Sequence, residues 1–364
     1  MLIFFLLPIF AATSCQLKHF IQEFQCKAKT VKGGAIAIVH KGKIVYKKTF
    51  GAQGDTEKPI TSHTLFPLGS SSKAITSMTI GYLAQKNTIN LREKFTLPWL
   101  KHKVSLIDIL GHTAGIESPF WGNLEIEAGQ SRQQILKLLS KQKLSIPGKS
   151  YAYTNVLFSL VEEVLEIKGT NFPQALQNFR TCLGTDEIQV IPIDACREIA
   201  YPHMKENGQT KTLPFPPYYP KVVMTAAGIF ASLDGMIKFL QLICGYRSDV
   251  LSKTMLAQMY KPRKKNKDIT KWVNKGIEFP CDLNQIESWY GLGWRVLRSK
   301  TNPEKDMIYH PGYIAGINTF VGVIPSEDIG IVIMMNEASK TALPLQEGLN
   351  FWGLFLKQDN KINR

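Results

Sequence analysis

Apolar and polar positions repeat with two different periods along this chain, and the change of period separates strand-forming ends from a helix-forming middle. Near the start, Gly34-Ala35-Ile36-Ala37-Ile38-Val39-His40 and Ile44-Val45-Tyr46-Lys47-Lys48-Thr49-Phe50-Gly51 are β-rich runs around Lys41-Gly42-Lys43. Two such runs about a short Lys/Gly turn predict a β-hairpin. Near the end, Asn318 to Pro325 and Ile329 to Asn336 predict a second strand pair around Ser326-Glu327-Asp328. Between them, a period of three to four residues predicts helices over about 73–86, 105–111, 131–141, 155–168, 171–181, 233–244 and 252–260. Strands at both ends imply that the ends meet in one antiparallel sheet, with a terminal helix from Leu343 to Leu356 over one face. The expected class is therefore α+β, with a mostly helical region inserted in the sheet. There is no internal repeat, low-complexity tract or clear linker, which favours one domain over about residues 30–358.

Composition changes that picture only at the N-terminus. With 44% hydrophobic and 20% charged residues the chain is of the globular type. Its first residues, MLIFFLLPIFAATSC, form an apolar run too short to span a bilayer but suited to a signal peptide. No Lys or Arg precedes the run, so the amino terminus supplies its only positive start. Ala12-Thr13-Ser14-Cys15 resembles the lipobox of bacterial lipoproteins, with Ala12 where Leu is usual. Residues 1–14 are thus expected to be a signal peptide, Cys15 is the candidate lipid anchor, and the location is extracytoplasmic, periplasmic or membrane-attached.

With Cys15 lipidated, Cys26, Cys182, Cys196, Cys244 and Cys281 remain, an odd number that makes no clean disulfide framework. Cys182 and Cys196 are near enough to bridge a loop in an oxidising compartment, and equally could both stay unpaired. No Cys or His spacing suggests a metal site, and neither metal nor cofactor is expected. The net charge of +15 is densest over Lys261-Pro262-Arg263-Lys264-Lys265-Asn266-Lys267, continuing to Lys271 and Lys275. Without aromatic platforms or a known module, this run reads as a solvated loop rather than a nucleic-acid surface. Anionic lipid or wall polymer is a further partner it could meet.

The candidate chemistry begins at Gly69-Ser70-Ser71-Ser72-Lys73, just ahead of the helix carrying Ile75, Met78, Tyr82 and Leu83 on one stripe. Ser70 and Lys73 are three apart, hence on one face of a first helical turn. The amides of that turn lack helical acceptors and favour developing negative charge. A hydroxyl with an amine in reach makes a serine nucleophile with its own base. The spacing alone is weak, since Ser140 and Lys143 repeat it in a Lys-rich segment. Tyr153 and Asn155 follow a Pro147-Gly148 turn; the phenol can pass a proton, and Asn155 can hold a polar group or simply cap a helix. In Tyr309-His310-Pro311-Gly312-Tyr313, Gly312 would let a substrate lie against a strand edge, and Pro311 fits an edge strand. His310 would be a neutral donor, a proton carrier or a structural histidine.

Phe66-x-x-Gly69-Ser70-x-x-Lys73, then Tyr153-x-Asn155, then His310-x-Gly312 resembles the penicillin-recognising serine hydrolases: class C β-lactamases, D,D-carboxypeptidases, D-aminopeptidases and related esterases. The stretches Leu106 to Ile116, Ala226 to Asp234, Tyr290-Gly291-Leu292-Gly293-Trp294 and Asn336 add to the likeness, which runs from about residue 30 to 350. The resemblance implies the β-lactamase/D,D-peptidase-like fold. It makes Ser70 the acylated nucleophile, Lys73 its activator and Tyr153 a partner in proton transfer. Asn155 would hold a substrate amide and His310 would line the opposite wall. The oxyanion hole would be the backbone N–H groups of Ser70 and Tyr313, donors worth ~3 kcal/mol each.

His310-Pro311-Gly312 stands where class C enzymes usually carry Lys-Thr-Gly, so a permanent cation and a hydroxyl that would grip a β-lactam carboxylate are missing. Peptidase or esterase work on a small-molecule or peptide substrate is therefore expected ahead of class C-like β-lactamase activity. A non-catalytic penicillin- or wall-binding descendant is the remaining alternative. Ser70, Lys73 and Tyr153 occurring together favour the enzyme.

Overall fold

The apolar runs at both chain ends are continuous because their strands are covered on both faces. The computed structural model describes residues 11–55, 57–118, 121–190, 198–216, 218–338 and 342–356. In β1 (Gly33–His40), Ala35, Ala37 and Val39 join one apolar core while Ile36 and Ile38 join another. The strand β8 (Ile329–Met335) divides in the same way, with Val332 and Met334 on the first side and Ile331 and Ile333 on the second. The two pair antiparallel from Gly34 opposite Met335 to His40 opposite Ile329, so the chain ends do meet in one sheet. The hairpin partner β2 (Lys43–Gly51) is the outer edge, and its exposed Lys43, Lys47 and Lys48 discourage pairing with another chain.

Five more strands complete the sheet: β3 (Lys264–Lys265), β4 (Ile286–Tyr290), β5 (Arg295–Ser299), β6 (Met307–Ile314) and β7 (Ile317–Ile324). Their order is β2-β1-β8-β7-β6-β5-β4-β3. One face is covered by α1 (Ala11–Ala28) and α7 (Leu343–Leu356). The other carries α2 (Ser72–Gln85), α4 (Leu233–Ile243) and the inserted helical region, which includes α3 (Asn155–Ser159) and α5 (Lys253–Tyr260). This is the expected α+β arrangement. The predicted helices all form, although the one expected over 155–168 breaks at Leu160 into α3 and Val161–Ile167.

Three differences bear on the site. First, α1 packs ahead of residue 30, where the sequence reading began the domain: Phe20 meets Phe351 with ring centroids 5.7 Å apart, and Phe24 meets Phe50 at 6.2 Å. Cys15 lies exposed on this helix; residues 1–10, Cys196 and residues 357–364 lie outside the described residues. Second, the basic run expected to be a loop holds β3 and α6 (Asp268–Val273). Both are too short for a periodicity argument to detect. Third, Pro311 is not on an edge strand, since β6 lies between β5 and β7. Pairing with β5 nevertheless stops at Arg295 opposite Tyr309, so from His310 onward β7 is the only strand partner of β6 among the described residues. The missing N–H of Pro311 falls in that unpaired stretch, where it costs no ladder bond.

Phe24 is 1% exposed, and truncating a buried Phe costs about 3 kcal/mol or more. Phe24→Ala is expected to lower the free energy of unfolding by that order in urea denaturation. A loss under about 0.5 kcal/mol, the range of ordinary surface changes, would show that α1 is not part of the folded unit.

Candidate active site

The nucleophile candidate is delivered by a short antiparallel ladder. Phe66–Pro67 pairs with Phe230–Ala231, which also pairs with Ile188–Gln189, and this fixes the chain entering the Gly69–Ser71 turn. Ser70 lies in that 3-10 turn, and α2 starts behind it at Ser72. Ser71 stands at the N-cap but makes no side-chain cap bond. Its Oγ instead donates to the carbonyl of His310 at 3.0 Å and meets Thr319 Oγ1 at 2.9 Å. Ser72 Oγ accepts from the amide of Ile229 at 3.1 Å. Both neighbours are thus used up in packing the turn, which leaves Ser70 alone at the cavity. Ser140, by contrast, is exposed at the end of helix Arg132–Leu139.

Two glycines allow the turn to press against β6. Gly69 has φ +52°, and a Cβ there would stand 3.0 Å from the amide nitrogen of Tyr313. A Cβ on Gly312 would stand 2.0 Å from the Leu68 carbonyl oxygen and 2.2 Å from Thr319 Oγ1. Neither clash could be relieved without moving backbone, so the contact between turn and strand requires glycine at both positions.

Around Ser70 Oγ the side chains converge. Tyr153 OH donates to it at 2.9 Å and Lys73 Nζ is 3.4 Å away. Lys73 is fully buried and donates to Asn155 Oδ1 at 2.6 Å and to the Ala226 carbonyl at 2.9 Å. Burial first, and then the Arg295 charge, hold its pKa well below the usual lysine value. An uncharged amine has two N–H donors and one lone pair. The two donors are accounted for by Asn155 and Ala226, and the lone pair is left for the Ser70 hydroxyl. Burial pushes the Tyr153 phenol the other way, upward, although Arg295 and its Ser70 bond oppose this. Burial thus disfavours the charged form of both groups.

The helix beginning at Asn155 is capped by the residue before it: Thr154 Oγ1 accepts from the Leu157 amide at 3.1 Å. Asn155 is thereby free for chemistry, but its amide is turned to Lys73 on one side and to Asn123 Oδ1, at 3.0 Å, on the other. In this state it orients Lys73 rather than offering an open site for a substrate amide. His310 departs further from expectation, because it is fully buried behind the wall it was expected to line. Its Nδ1 is 2.8 Å from the Pro311 carbonyl, which can only accept, so Nδ1 carries the proton and Nε2 accepts from Tyr290 OH at 3.1 Å. Burial, with Arg295 and Lys73 nearby, keeps the ring neutral, its pKa well below the usual value.

Two residues without an assigned role in the sequence reading shape this site. Arg295, at the start of β5, is 3% exposed and lies 4.9 Å over the Tyr153 ring, 5.6 Å from that of Trp272 and 5.7 Å from that of Tyr290. It forms a buried ion pair with Asp268 at the start of α6. The signal was adjacent: Arg295 directly follows Tyr290-Gly291-Leu292-Gly293-Trp294, while its partner was hidden in a basic run read as solvent-exposed. His112, quoted only as part of a connecting stretch, packs its ring 4.3 Å from that of Tyr153 and accepts from the Thr154 amide at 3.3 Å.

These groups open on a cavity of about 840 Å³ whose lining includes Ser70, Tyr153, Asn155, Arg295, Gly312 and Tyr313. Elsewhere among the described residues, His63, Glu187 and Asp234 bring metal-ligating atoms together, but Lys47, Ser62 and Ser232 already engage the two carboxylates. That cluster is no part of the cavity lining.

A family model described as Beta-lactamase matches residues 19–347. The chain is 22% identical over 331 residues to the unguisins hydrolase ungD' of Aspergillus campestris, covering 84% of this chain and 58% of that one. It is 20% identical over 345 residues to Protein flp of Staphylococcus aureus, covering 88% of this chain and 62% of that one. The chain thus spans about three fifths of the length of these curated relatives. A protein named Beta-lactamase from Escherichia coli is 21% identical over 366 residues, with 84% of each chain covered. Among solved structures, an octameric penicillin-binding protein homologue from Pyrococcus abyssi superposes with TM-score 0.74 at 20% identity, covering 94% of this chain and 77% of that one. At that identity the likeness is one of fold.

The Arg295 charge acts on Lys73 by lowering its pKa, so removing it must raise that pKa toward the ordinary lysine value. Arg295→Met combined with Asp268→Asn removes the pair without stranding a buried charge. The Lys73 ¹³Cε resonance is expected to titrate at higher pH in this variant than in the wild type. An unchanged midpoint would exclude Arg295 as a determinant of the Lys73 charge state.

Proposed function

The chain belongs to the beta-lactamase family, and from that premise we propose that it is an exported serine hydrolase acting through an acyl-Ser70 intermediate on an amide, peptide or ester. The observation that carries this reading is the convergence on Ser70 Oγ of Tyr153 OH at 2.9 Å and the buried Lys73 amine at 3.4 Å. Ser70 Oγ attacks the substrate carbonyl while its proton passes to Lys73. Tyr153 gives its proton to the departing amine or alkoxide and recovers one from Lys73, which restores both groups. In the second half-reaction the same pair takes a proton from water as it attacks the acyl-enzyme, and Ser70 regains its own.

The carbonyl oxygen turns negative in both steps, and the backbone N–H groups of Ser70 and Tyr313 are the proposed donors to it. In support, Gly69 and Gly312 let the Ser70 turn and the Tyr313 strand approach within contact distance. Asn155 keeps the Lys73 lone pair on Ser70, and His310 braces β6 from behind through Tyr290. Neither gives a β-lactam carboxylate a cation, so peptide or ester substrates stay ahead of class C-like antibiotic hydrolysis in this proposal.

Labelling by a fluorophosphonate is expected in wild type and absent in Ser70→Ala. Absence of any Ser70-dependent adduct with a fluorophosphonate or a labelled penicillin would leave the non-catalytic binder as the reading. Labelling by the fluorophosphonate alone would favour an esterase.

Extracytoplasmic anchoring through Cys15 is a separate part of the proposal and rests on the N-terminal sequence. Cleavage before Cys15 would leave Phe20 and Phe24 in α1 and so preserve the packing on α7. Palmitate incorporation in bacterial cells is expected for the wild type and lost in Cys15→Ser; equal incorporation in both, or none in either, would remove the anchor.

A further inference from the structure

The proton relay to Ser70 depends on a phenol carried by an irregular stretch of chain. Residues 151–154 belong to no helix or strand, yet Tyr153 OH is held 2.9 Å from Ser70 Oγ. A reacting group on such a segment is placed loosely unless its neighbours lock the backbone. The amides on either side of Tyr153 both donate to one residue. Ala152 N–H bonds the His112 carbonyl at 3.0 Å, and Thr154 N–H bonds His112 Nδ1 at 3.3 Å. Between these two bonds the His112 ring lies against the Tyr153 ring, with centroids 4.3 Å apart.

The backbone at His112 makes the choice of residue informative. The helix Leu106–Leu110 is closed by Thr113 N–H on the Asp108 carbonyl at 2.8 Å and by His112 N–H on the Ile109 carbonyl at 3.2 Å. That pair of bonds puts His112 in the left-handed position after the helix, at φ +55°, where glycine is usual. A ring-bearing residue is strained there, and strain of this kind points to a use for the side chain. An amide N–H can only donate, so Nδ1 is the bare nitrogen and Nε2 carries the ring proton. Nε2 has no hydrogen-bond partner among the described residues. The rings of Tyr151, Phe158 and Tyr290 complete an aromatic box around the imidazole, with centroids 6.0, 5.3 and 4.9 Å from its own. Burial first, and then Lys73, Arg295 and His310, hold the His112 pKa well below the usual value. This disfavours the charged form, in which Nδ1 could no longer accept.

We propose that His112 is the positioning residue for Tyr153: its carbonyl and Nδ1 clamp the backbone on both sides of the tyrosine, and its ring sets the plane of the phenol, so that the hydroxyl stays aimed at Ser70 Oγ. The inference rests on the serine-hydrolase reading and adds to it a residue that touches no substrate. His112 is no part of the cavity lining, whereas Tyr153 is, so its influence on the reaction passes through Tyr153.

The kinetic test follows phenyl acetate hydrolysis. His112→Phe keeps a flat ring but leaves the Thr154 amide without its acceptor. It should lower kcat about tenfold, the scale of a buried donor left unpaired, with little change in KM. His112→Asn has an acceptor oxygen near the place of Nδ1 and tolerates a positive φ, and should recover part of that loss. In a Tyr153→Phe background there is no hydroxyl left to aim, so adding His112→Phe should change kcat by no more than about twofold; a merely structural role would multiply the two losses. A second arm uses the unmutated protein and does not depend on how a variant folds. With ¹⁵N-labelled histidine, the His112 resonances should show a bare Nδ1 and a protonated Nε2, unchanged from about pH 5 to 8. A proton on Nδ1, or a full His112→Phe loss in the Tyr153→Phe background, would overturn the clamp and leave the hydrolase reading intact. No Ser70-dependent hydrolysis by the wild type would overturn both.

Discussion

Enclosing a lysine side chain completely is costly while it keeps its charge, and the cost falls when the group gives up its proton. Lys73 is in that position, its pKa held well below the usual lysine value by burial and then by Arg295. Ala226 can accept from it because the helix Met224–Ala227 ends there and leaves its terminal carbonyls without helical partners. Asn155 can accept because Thr154 performs the capping and frees the amide. With both N–H groups bound, the remaining lone pair points at Ser70.

The sheet contributes by what it omits. β5 stops pairing with β6 at Tyr309, and from there β6 carries Pro311, Gly312 and Tyr313 past the Ser70 turn without a strand between them. A third ladder strand would separate the two halves of the proposed oxyanion site. A side chain at Gly312 would do the same, since the Leu68 carbonyl occupies the space where its Cβ would be. The turn and the strand are held together from behind by Ser71 and Thr319, whose hydroxyls bond to each other and to the carbonyls of His310 and Leu68.

Much of this was legible because the local chemistry is strongly periodic or strongly constrained. The two-faced strands β1 and β8, the amphipathic helices and the Ser70–Lys73 spacing each follow from residues near one another in sequence. What escaped depends on burial between distant segments. His310 looks like an active-site donor until Tyr290 and Pro311 are seen to consume both of its nitrogens. Asp268 looks like one acid among exposed lysines until Arg295 is found against it. The sequence around residues 261–275 is hydrophilic on average, and averaging hides that Trp272 turns the short helix α6 inward.

His310 and α6 belong to one electrostatic solution. A lysine at position 310 would place a permanent cation in a fully enclosed spot, where burial and then Arg295 already depress the His310 pKa. It would also strand Tyr290 OH, whose proton now goes to Nε2. A neutral ring avoids both costs and leaves Arg295 as the one permanent inner cation of the site, held in check by Asp268. That charge adds to burial in lowering the Lys73 pKa. A second cation so deep would make the Lys73 amine harder to protonate after it takes the Ser70 proton, and so weaken it as a base. On this account a neutral third motif suits a fully buried Lys73 next to Arg295.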